Sequence, residues 1–214
     1  MKKFLISTAF SALTLASPAS AATTIFNSTF ENESPTRTSG FTTVNSTGVW
    51  TKEPGTAGIE LQFGNTGGAP SGTPNRVKVE LDSTRNSGMF YTFQNSGVYT
   101  LDFLFSPRPN VGPLSNIVNL FLDSNLLGTY TGVKNPTTVW SPKTVGFTAF
   151  AGQKLIFRAA GTSDSLGGYL DNIKLDRVGA VPEPATWMML VMGFGLIGFA
   201  MRRRQQTSMR VTFA

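Results

Sequence analysis

Between Val98 and Phe105, Tyr99, Leu101, Phe103 and Phe105 alternate with Thr100, Asp102 and, just beyond, Ser106. A period of two puts one set of side chains on each face of an extended strand, one face apolar and the other wet. Similar short runs recur between clusters of Gly, Pro, Ser, Thr and Asn, and no stretch between Thr23 and Val178 has helical periodicity. Strands are expected at Thr24–Phe30, Ile59–Phe63, Val77–Leu81, Met89–Phe93, Val98–Phe105, Ile117–Asp123, Leu126–Thr131, Thr144–Phe150, Lys154–Ala159 and Tyr169–Val178. Asp123-Ser124-Asn125 reads as a hairpin turn, and Pro70 to Pro74 as a surface loop. That many short strands in 156 residues predict one all-β domain, a jelly-roll β-sandwich over residues 22–180.

The two ends obey different rules. Met1-Lys2-Lys3 is a positive n-region, Phe4 to Leu15 an apolar run, and Ala19-Ser20-Ala21 the small-x-small pattern that signal peptidase accepts. Residues 1–21 therefore read as a secretory signal peptide. At the other end, the apolar stretch Trp187 to Met201 abuts Arg202-Arg203-Arg204. A transmembrane helix over about residues 185–201 would reach ~25 Å, slightly short of a ~30 Å hydrocarbon core. Snorkelling arginines and an interfacial Trp187 make up the difference. The positive-inside bias then leaves the arginines and the short tail 205–214 in the cytoplasm and the domain outside.

The tail carries Val181-Pro182-Glu183-Pro184, Trp187, Gly193-Phe194-Gly195-Leu196-Ile197-Gly198 and the arginine cluster. Over residues 181–204 it resembles the PEP-CTERM sorting signal. That resemblance implies an exosortase as processing partner and a place at the cell surface or in the extracellular matrix of an exopolysaccharide-making bacterium. Gly193-x-Gly195-x-x-Gly198 also matches a dinucleotide-binding fingerprint, but that motif needs a preceding strand and an acid about 20 residues on. In an apolar span the glycines serve close helix contact instead.

Net charge of +6 suggests nucleic acid only until it is located. Residues 22–180 hold 12 Lys/Arg against 11 Asp/Glu, so the excess lies in the topogenic ends and no nucleic-acid partner is expected. Without His or Cys there is no Ser-His-Asp triad, no Cys nucleophile, no disulfide and no structural zinc.

Asn27-Ser28-Thr29-Phe30-Glu31 and Gly168-Tyr169-Leu170-Asp171-Asn172-Ile173-Lys174-Leu175 bracket the domain. They resemble the terminal motifs of galactose-binding-like jelly rolls, a group that includes carbohydrate-binding modules, with Ser28 where the pattern has Gly. Asp171 shares parity with Ile173 and Leu175, so a strand of regular pleat would aim its carboxylate toward core residues, where it needs a partner. Glu31 and Asp171 with backbone carbonyls would make an oxygen cage for structural Ca²⁺, as the resemblance implies, unless Asp171 serves a turn or pairs with Arg.

A glycan site needs aromatic faces and polar side chains for hydroxyls. Trp50, Tyr91, Tyr130 and Trp140 are candidate faces, with Glu80, Asn75, Arg76 and Arg108 as polar partners, although a Trp in a sandwich also serves as core. A glycoside hydrolase would draw on Glu60, Glu80, Asp82 or Asp102; Glu80 and Asp82, two apart, would share a face at roughly 7 Å. Nothing else in the sequence supports catalysis. The expectation is a non-enzymatic surface protein that binds exopolysaccharide, or a structural biofilm component without a saturable ligand.

Overall fold

A computed structural model describes residues 22–31, 39–64, 66, 77–179 and the helix 183–206, with helix side chains for 188–202. The signal segment 1–21, the loop Pro70 to Pro74, Asn75 and Arg76 lie outside the described residues.

The alternating stretch is β8 (Gly97–Ser106), and its pattern is obeyed: Tyr99, Leu101, Phe103 and Phe105 are buried while Thr100, Asp102 and Leu104 keep some exposure. Before it come β1 (Thr23–Ser28), β2 (Ser39–Val44), β3 (Ser46–Thr47), β4 (Trp50–Lys52), β5 (Ile59–Gly64), β6 (Lys78–Glu80) and β7 (Gly88–Thr92). After it come β9 (Ile117–Leu122), β10 (Asn125–Thr131), β11 (Ser141–Ala149), β12 (Lys154–Ala160) and β13 (Tyr169–Val178).

These strands form two sheets. The seven-stranded sheet runs β11-β8-β13-β6-β5-β2, with β1 also paired to β13, and the six-stranded sheet runs β10-β9-β12-β7-β4-β3. From β6 onward the chain crosses repeatedly between them: β6, β8, β11 and β13 lie in one sheet and β7, β9, β10 and β12 in the other. Such crossings, with antiparallel pairing throughout the strands, make a jelly-roll sandwich. The hairpin expected at Asp123 joins β9 to β10, with Asp123 in the left-handed region at φ 52°. Such a conformation suits a two-residue hairpin loop.

Leu61, Val79, Leu101, Phe103 and Leu170 from one sheet meet Trp50, Met89, Leu120, Leu155 and Phe157 from the other in the core. Three strands were not expected from the sequence: β2, β3 and β4. Ser39–Val44 lies at a sheet edge with only partial burial, so its sequence shows no clean alternation.

Two irregularities matter for the site. Phe30 has φ 59° just after β1, and Asn172 has φ 48° inside β13. At Asn172 the register to β8 shifts between Asp171 and Lys174. This bulge corrects the parity argument: Leu170, Ile173 and Leu175 face the core, and Asp171 lies on the opposite face from Leu170. Ser28, where the resemblance has Gly, accepts a 3.1 Å hydrogen bond from Trp50 Nε1.

The C-terminal segment is one helix, α1 (Glu183–Gln206), with Pro184 in its first turn, where a missing N–H costs nothing. Among residues 188–202 the large apolar side chains other than the partly buried Leu190 are exposed, from 59% at Ile197 to 79% at Met189. Among the described residues no helix is long and apolar enough to cross a membrane. A Cβ on Gly193, Gly195 or Gly198 would meet nothing within 4 Å, and all three lie inside α1, not at the strand-to-helix turn a nucleotide fingerprint requires.

Candidate functional site

Strands β5 and β6 and the first three residues of β13, Tyr169 to Asp171, are buried on both faces, which an antiparallel sheet with a wet outer face does not require. Their outward side chains are polar. Register sets Glu60 opposite Glu80, Glu80 opposite Tyr169, and Tyr169 opposite Ser106, one row across four strands. The next row holds Gln62 opposite Lys78, and continuing the β6–β13 register by one residue brings Asp171 beside Lys78. Glu80, Lys78 and Asp171 are each 0% exposed.

Glu80 is the hub. Arg108 Nη1 donates to its two oxygens at 2.7 and 2.6 Å, and Gly167 N–H donates to Oε1. Gln62 Nε2 donates to Glu60 Oε1 at 2.8 Å and also to Glu80 Oε2. Tyr169 lies beneath two cations, with Lys78 Nζ 5.2 Å and Arg108 Cζ 5.9 Å from its ring centroid. Trp140 flanks the same ring at 6.4 Å and 31°.

Burial dominates the electrostatics. It pushes Glu80 up to about 8 against the pull of Arg108, with Glu60 adding to the rise. Asp171 also rises to about 8 from burial, with the Glu31 carboxylate adding to it and the Asn172 N–H and Lys78 opposing. Lys78 falls to about 8 because burial outweighs Asp171 and Glu80. Desolvation likewise raises Tyr169 above the usual phenol range.

Several polar atoms here are buried without a partner: Lys78 Nζ, Trp140 Nε1, Gln62 Oε1, Asp171 Oδ2 and Glu31 Oε2. The Tyr169 hydroxyl lies beside the Gln62 amide, yet Oε1 stays unbonded. Native proteins seldom leave such groups unpaired, since each costs about 1–3 kcal/mol. Glu31 Oε1 accepts from Val77 N–H at 3.1 Å, and Asp171 Oδ1 accepts from Asn172 N–H at 2.6 Å. Each carboxylate thus has one spent oxygen and one free one. Two adjacent buried carboxylates with free oxygens suit a hard cation. Among the described residues no three acidic side chains converge, so carbonyls would have to supply the remaining ligands.

Of the residues expected from sequence, Glu80, Arg108 and Trp140 come together here, as do Glu31 and Asp171. Trp50 and Tyr91 do not. Trp50 is 0% exposed in the core, edge-on to Phe26, and Tyr91 packs edge-on between Phe26 and Phe93. Tyr130 likewise packs on Phe103. Strands β4, β7 and β10 turn these rings toward the core, which buries Trp50 fully and Tyr91 and Tyr130 in part. Asp82 does not pair with Glu80; it accepts from Asp164 N–H at 3.0 Å and Ser165 N–H at 3.1 Å and ties the 163–165 loop. Asp102 accepts from Thr144 Oγ1 on the neighbouring strand. Gln62, Lys78 and Tyr169 join the site unannounced, as does Glu60, which the sequence offered only as a hydrolase acid. Their signal was the strict alternation in Ile59–Phe63 and Val77–Leu81, which marks each strand but not their adjacency. A cavity of about 170 Å³ at the end of β1, lined by residues including Phe26, Ser28, Phe30 and Thr47, shares no residue with this cluster.

Residues 180–204 match the PEP-CTERM protein-sorting motif. No curated protein matches the chain. Similar solved structures include the CBM22-1 xylan-binding domain of Paenibacillus barcinonensis Xyn10C, 12% identical, covering 76% of this chain and 99% of that one, TM-score 0.47. The K3 cleaved adhesin domain of Lys-gingipain from Porphyromonas gingivalis W83 is 16% identical over 72% and 99%, TM-score 0.45. A family 35 carbohydrate binding module from Clostridium thermocellum is 16% identical over 63% and 90%, TM-score 0.36.

Proposed function

We propose that this is an exported, non-catalytic surface protein whose jelly roll binds glycan on the outer face of the seven-stranded sheet, around Tyr169. The observation that carries the reading is the set of unpaired buried donors and acceptors on one face, Lys78 Nζ and Trp140 Nε1 beside Gln62 Oε1 and Asp171 Oδ2. A hydroxyl both donates and accepts, so a sugar satisfies such a mixed set where an ion or an apolar ligand does not. Trp140 beside Tyr169 supplies the flat apolar surface that sugar C–H groups pack against.

Catalysis is not part of the reading. Glu80 is committed to Arg108, Gly167 and Gln62, and Asp82 to the 163–165 loop, so neither is free to act as acid or nucleophile. The sorting motif supports delivery through an exosortase to the envelope or matrix, after signal-peptidase processing. The apolar exposure of most of the helix over 188–201, followed by arginines, supports its residence in the membrane with the domain outside the cytoplasm. Glu31 and Asp171 would hold a structural Ca²⁺, which would neutralise two adjacent buried carboxylates and tie the start of the domain to β13.

The test is retention of the intact chain on immobilised neutral and acidic exopolysaccharides. Trp140→Ala is expected to lose at least tenfold in retention with the fold intact by circular dichroism. Unchanged retention moves the site away from Trp140, whereas no retention of the parent chain on any polysaccharide, alongside altered cell aggregation on deletion, supports the structural biofilm role instead. Deleting Val181 to Ala214 is expected to release the protein from the membrane and surface fractions; unchanged fractionation removes the sorting claim.

A further inference from the structure

The unpaired atoms on the outer face are ordered. Reading across β13, β6 and β5, Asp171 Oδ2 is an acceptor, Lys78 Nζ a donor and Gln62 Oε1 an acceptor. Leu104 stands beyond Asp171 at one end of this row and Phe41 beyond Gln62 at the other, so the polar part is bounded by apolar side chains. Neighbouring strands lie ~4.8 Å apart. Two hydrogen bonds of about 2.8 Å meeting at one tetrahedral oxygen span about 4.5 Å. A hydroxyl placed between a neighbouring pair would donate to Asp171 and accept from Lys78, or accept from Lys78 and donate to Gln62.

From this alternation we infer that the row Asp171–Lys78–Gln62 reads a vicinal diol on a neutral sugar. The inference rests on the glycan-binding reading and names what that site recognises. Acceptor, donor, acceptor is the complement of two adjacent hydroxyls sharing a central ammonium. Lys78 supplies three protons and no acceptor, so it serves both oxygens at once. Asp171 Oδ2 has two lone pairs, so taking a hydroxyl proton does not prevent it from also facing a cation beside Glu31.

Neutrality follows from the surrounding charges. The parallel row presents Glu60 and Glu80, and the Arg108 guanidinium is already bonded to both Glu80 oxygens. A uronate carboxylate would find two neighbouring carboxylates and share one ammonium with Asp171. Asp171, Lys78 and Gln62 are buried, so a sugar reaches the row where Arg108 and Trp140, which keep solvent exposure, move aside.

The test uses the full chain in detergent against three neutral polysaccharides, xylan, galactomannan and dextran. Each is offered intact and after periodate oxidation with borohydride reduction, which cleaves vicinal diols and leaves the chain uncharged; pectate is the anionic comparison. Retention on at least one intact neutral chain is expected, with at least a tenfold loss after diol cleavage and at least a tenfold loss in Lys78→Met. Replacing a buried ammonium by a similar apolar chain keeps the volume, and an unchanged or raised melting temperature shows the fold is intact. Equal retention on the cleaved chain overturns the diol and leaves the glycan-binding reading standing. Tighter retention on pectate overturns neutrality alone. No retention on any chain, with Lys78→Met changing only stability, means that buried waters fill the row, and both readings fall.

Discussion

On the outer face of the six-stranded sheet, Thr51, Phe90, Ile156, Phe121 and Leu126 stand in one row across β4, β7, β12, β9 and β10. On the outer face of the seven-stranded sheet the comparable row is Asp171, Lys78 and Gln62. The first row is covered by its own neighbours. Lys154 Nζ lies 4.4 Å from the Phe90 ring centroid and Arg158 Cζ 4.9 Å from that of Phe121, with Arg158 held in place by Glu53. Cations there find rings and a carboxylate; among the described residues of that face, Asn119 Oδ1 is the buried side-chain atom without a partner. The cation of the second row, Lys78, also lies over a ring, that of Tyr169 at 5.2 Å, but is buried deeper and without a hydrogen-bond partner. A face that meets its own polar needs is a wall, whereas one that leaves donors and acceptors waiting is built to receive something.

The largest expected effect tests whether the charged face is also structural. Glu80→Ala removes the acceptor for Arg108, Gln62 and Gly167 N–H together. Breaking a buried pair from one side costs about 3–5 kcal/mol, and the partial exposure of Arg108 argues for the low end, ~3 kcal/mol by urea denaturation. A loss under ~1 kcal/mol would mean that the hub is solvated and the contrast between the faces overstated.

Chelation comes next. An ion bound at 100 times its Kd stabilises by ~2.7 kcal/mol, which for a domain of this size is roughly 5–10 °C in Tm. EDTA is expected to lower Tm by that amount and Ca²⁺, but not Mg²⁺, to restore it. An unchanged Tm sinks the calcium proposal.

The pH dependence is specific to the charged face. Glu80 and Asp171 are raised in the folded state, so the native protein binds more protons than the unfolded one between about pH 4 and 8, and stability falls with rising pH there. Lys78 is lowered to about 8, so above that the unfolded chain binds more protons and stability recovers toward pH 10.5. The metal-free chain is expected to show a stability minimum near pH 8. Glu80→Gln should shallow its acid side, and a maximum in its place would show these groups to be solvated.

How much of this was legible beforehand depends on the range of each interaction. The strands Val98–Phe105 and Tyr169–Val178 were plain because alternation is local. That Glu60, Glu80 and Tyr169 share a row was not, since it depends on which strands pair. Tyr169 is 89 residues from Glu80 in the chain and directly opposite it in the sheet. The side on which Asp171 points was misjudged because one residue, Asn172, adopts a left-handed conformation and inserts a bulge, and Asn tolerates this without announcing it. Trp50 and Tyr91 were aromatic enough for a sugar platform, but aromatic character does not say which face of a strand is inward. Arg108 and Trp140 were legible as candidates because both lie just outside regular strands, where side chains reach over a sheet face.

The remaining predictions concern the self-covered face, where effects are expected to be small. Arg158→Ala loses the Glu53 pair and the ring contact; with the guanidinium 40% exposed, about 1 kcal/mol is expected. Lys154→Ala is the finest probe. Its ammonium lies over Phe90 with no ion pair among the described residues, so it contributes ~0.5 kcal/mol through an exposed cation–π contact. Glycan retention should not change, because no hydroxyl-binding atom is lost. If Lys154→Ala reduced retention as much as Lys78→Met, the aromatic row would be the binding surface. The stacked cations would then be gates over Phe90 and Phe121, and the unpaired atoms of the other face would hold only water. A loss of ~0.5 kcal/mol with equal binding in Lys154→Ala, set against lost binding in Lys78→Met, separates the wall from the site by a single charge on each.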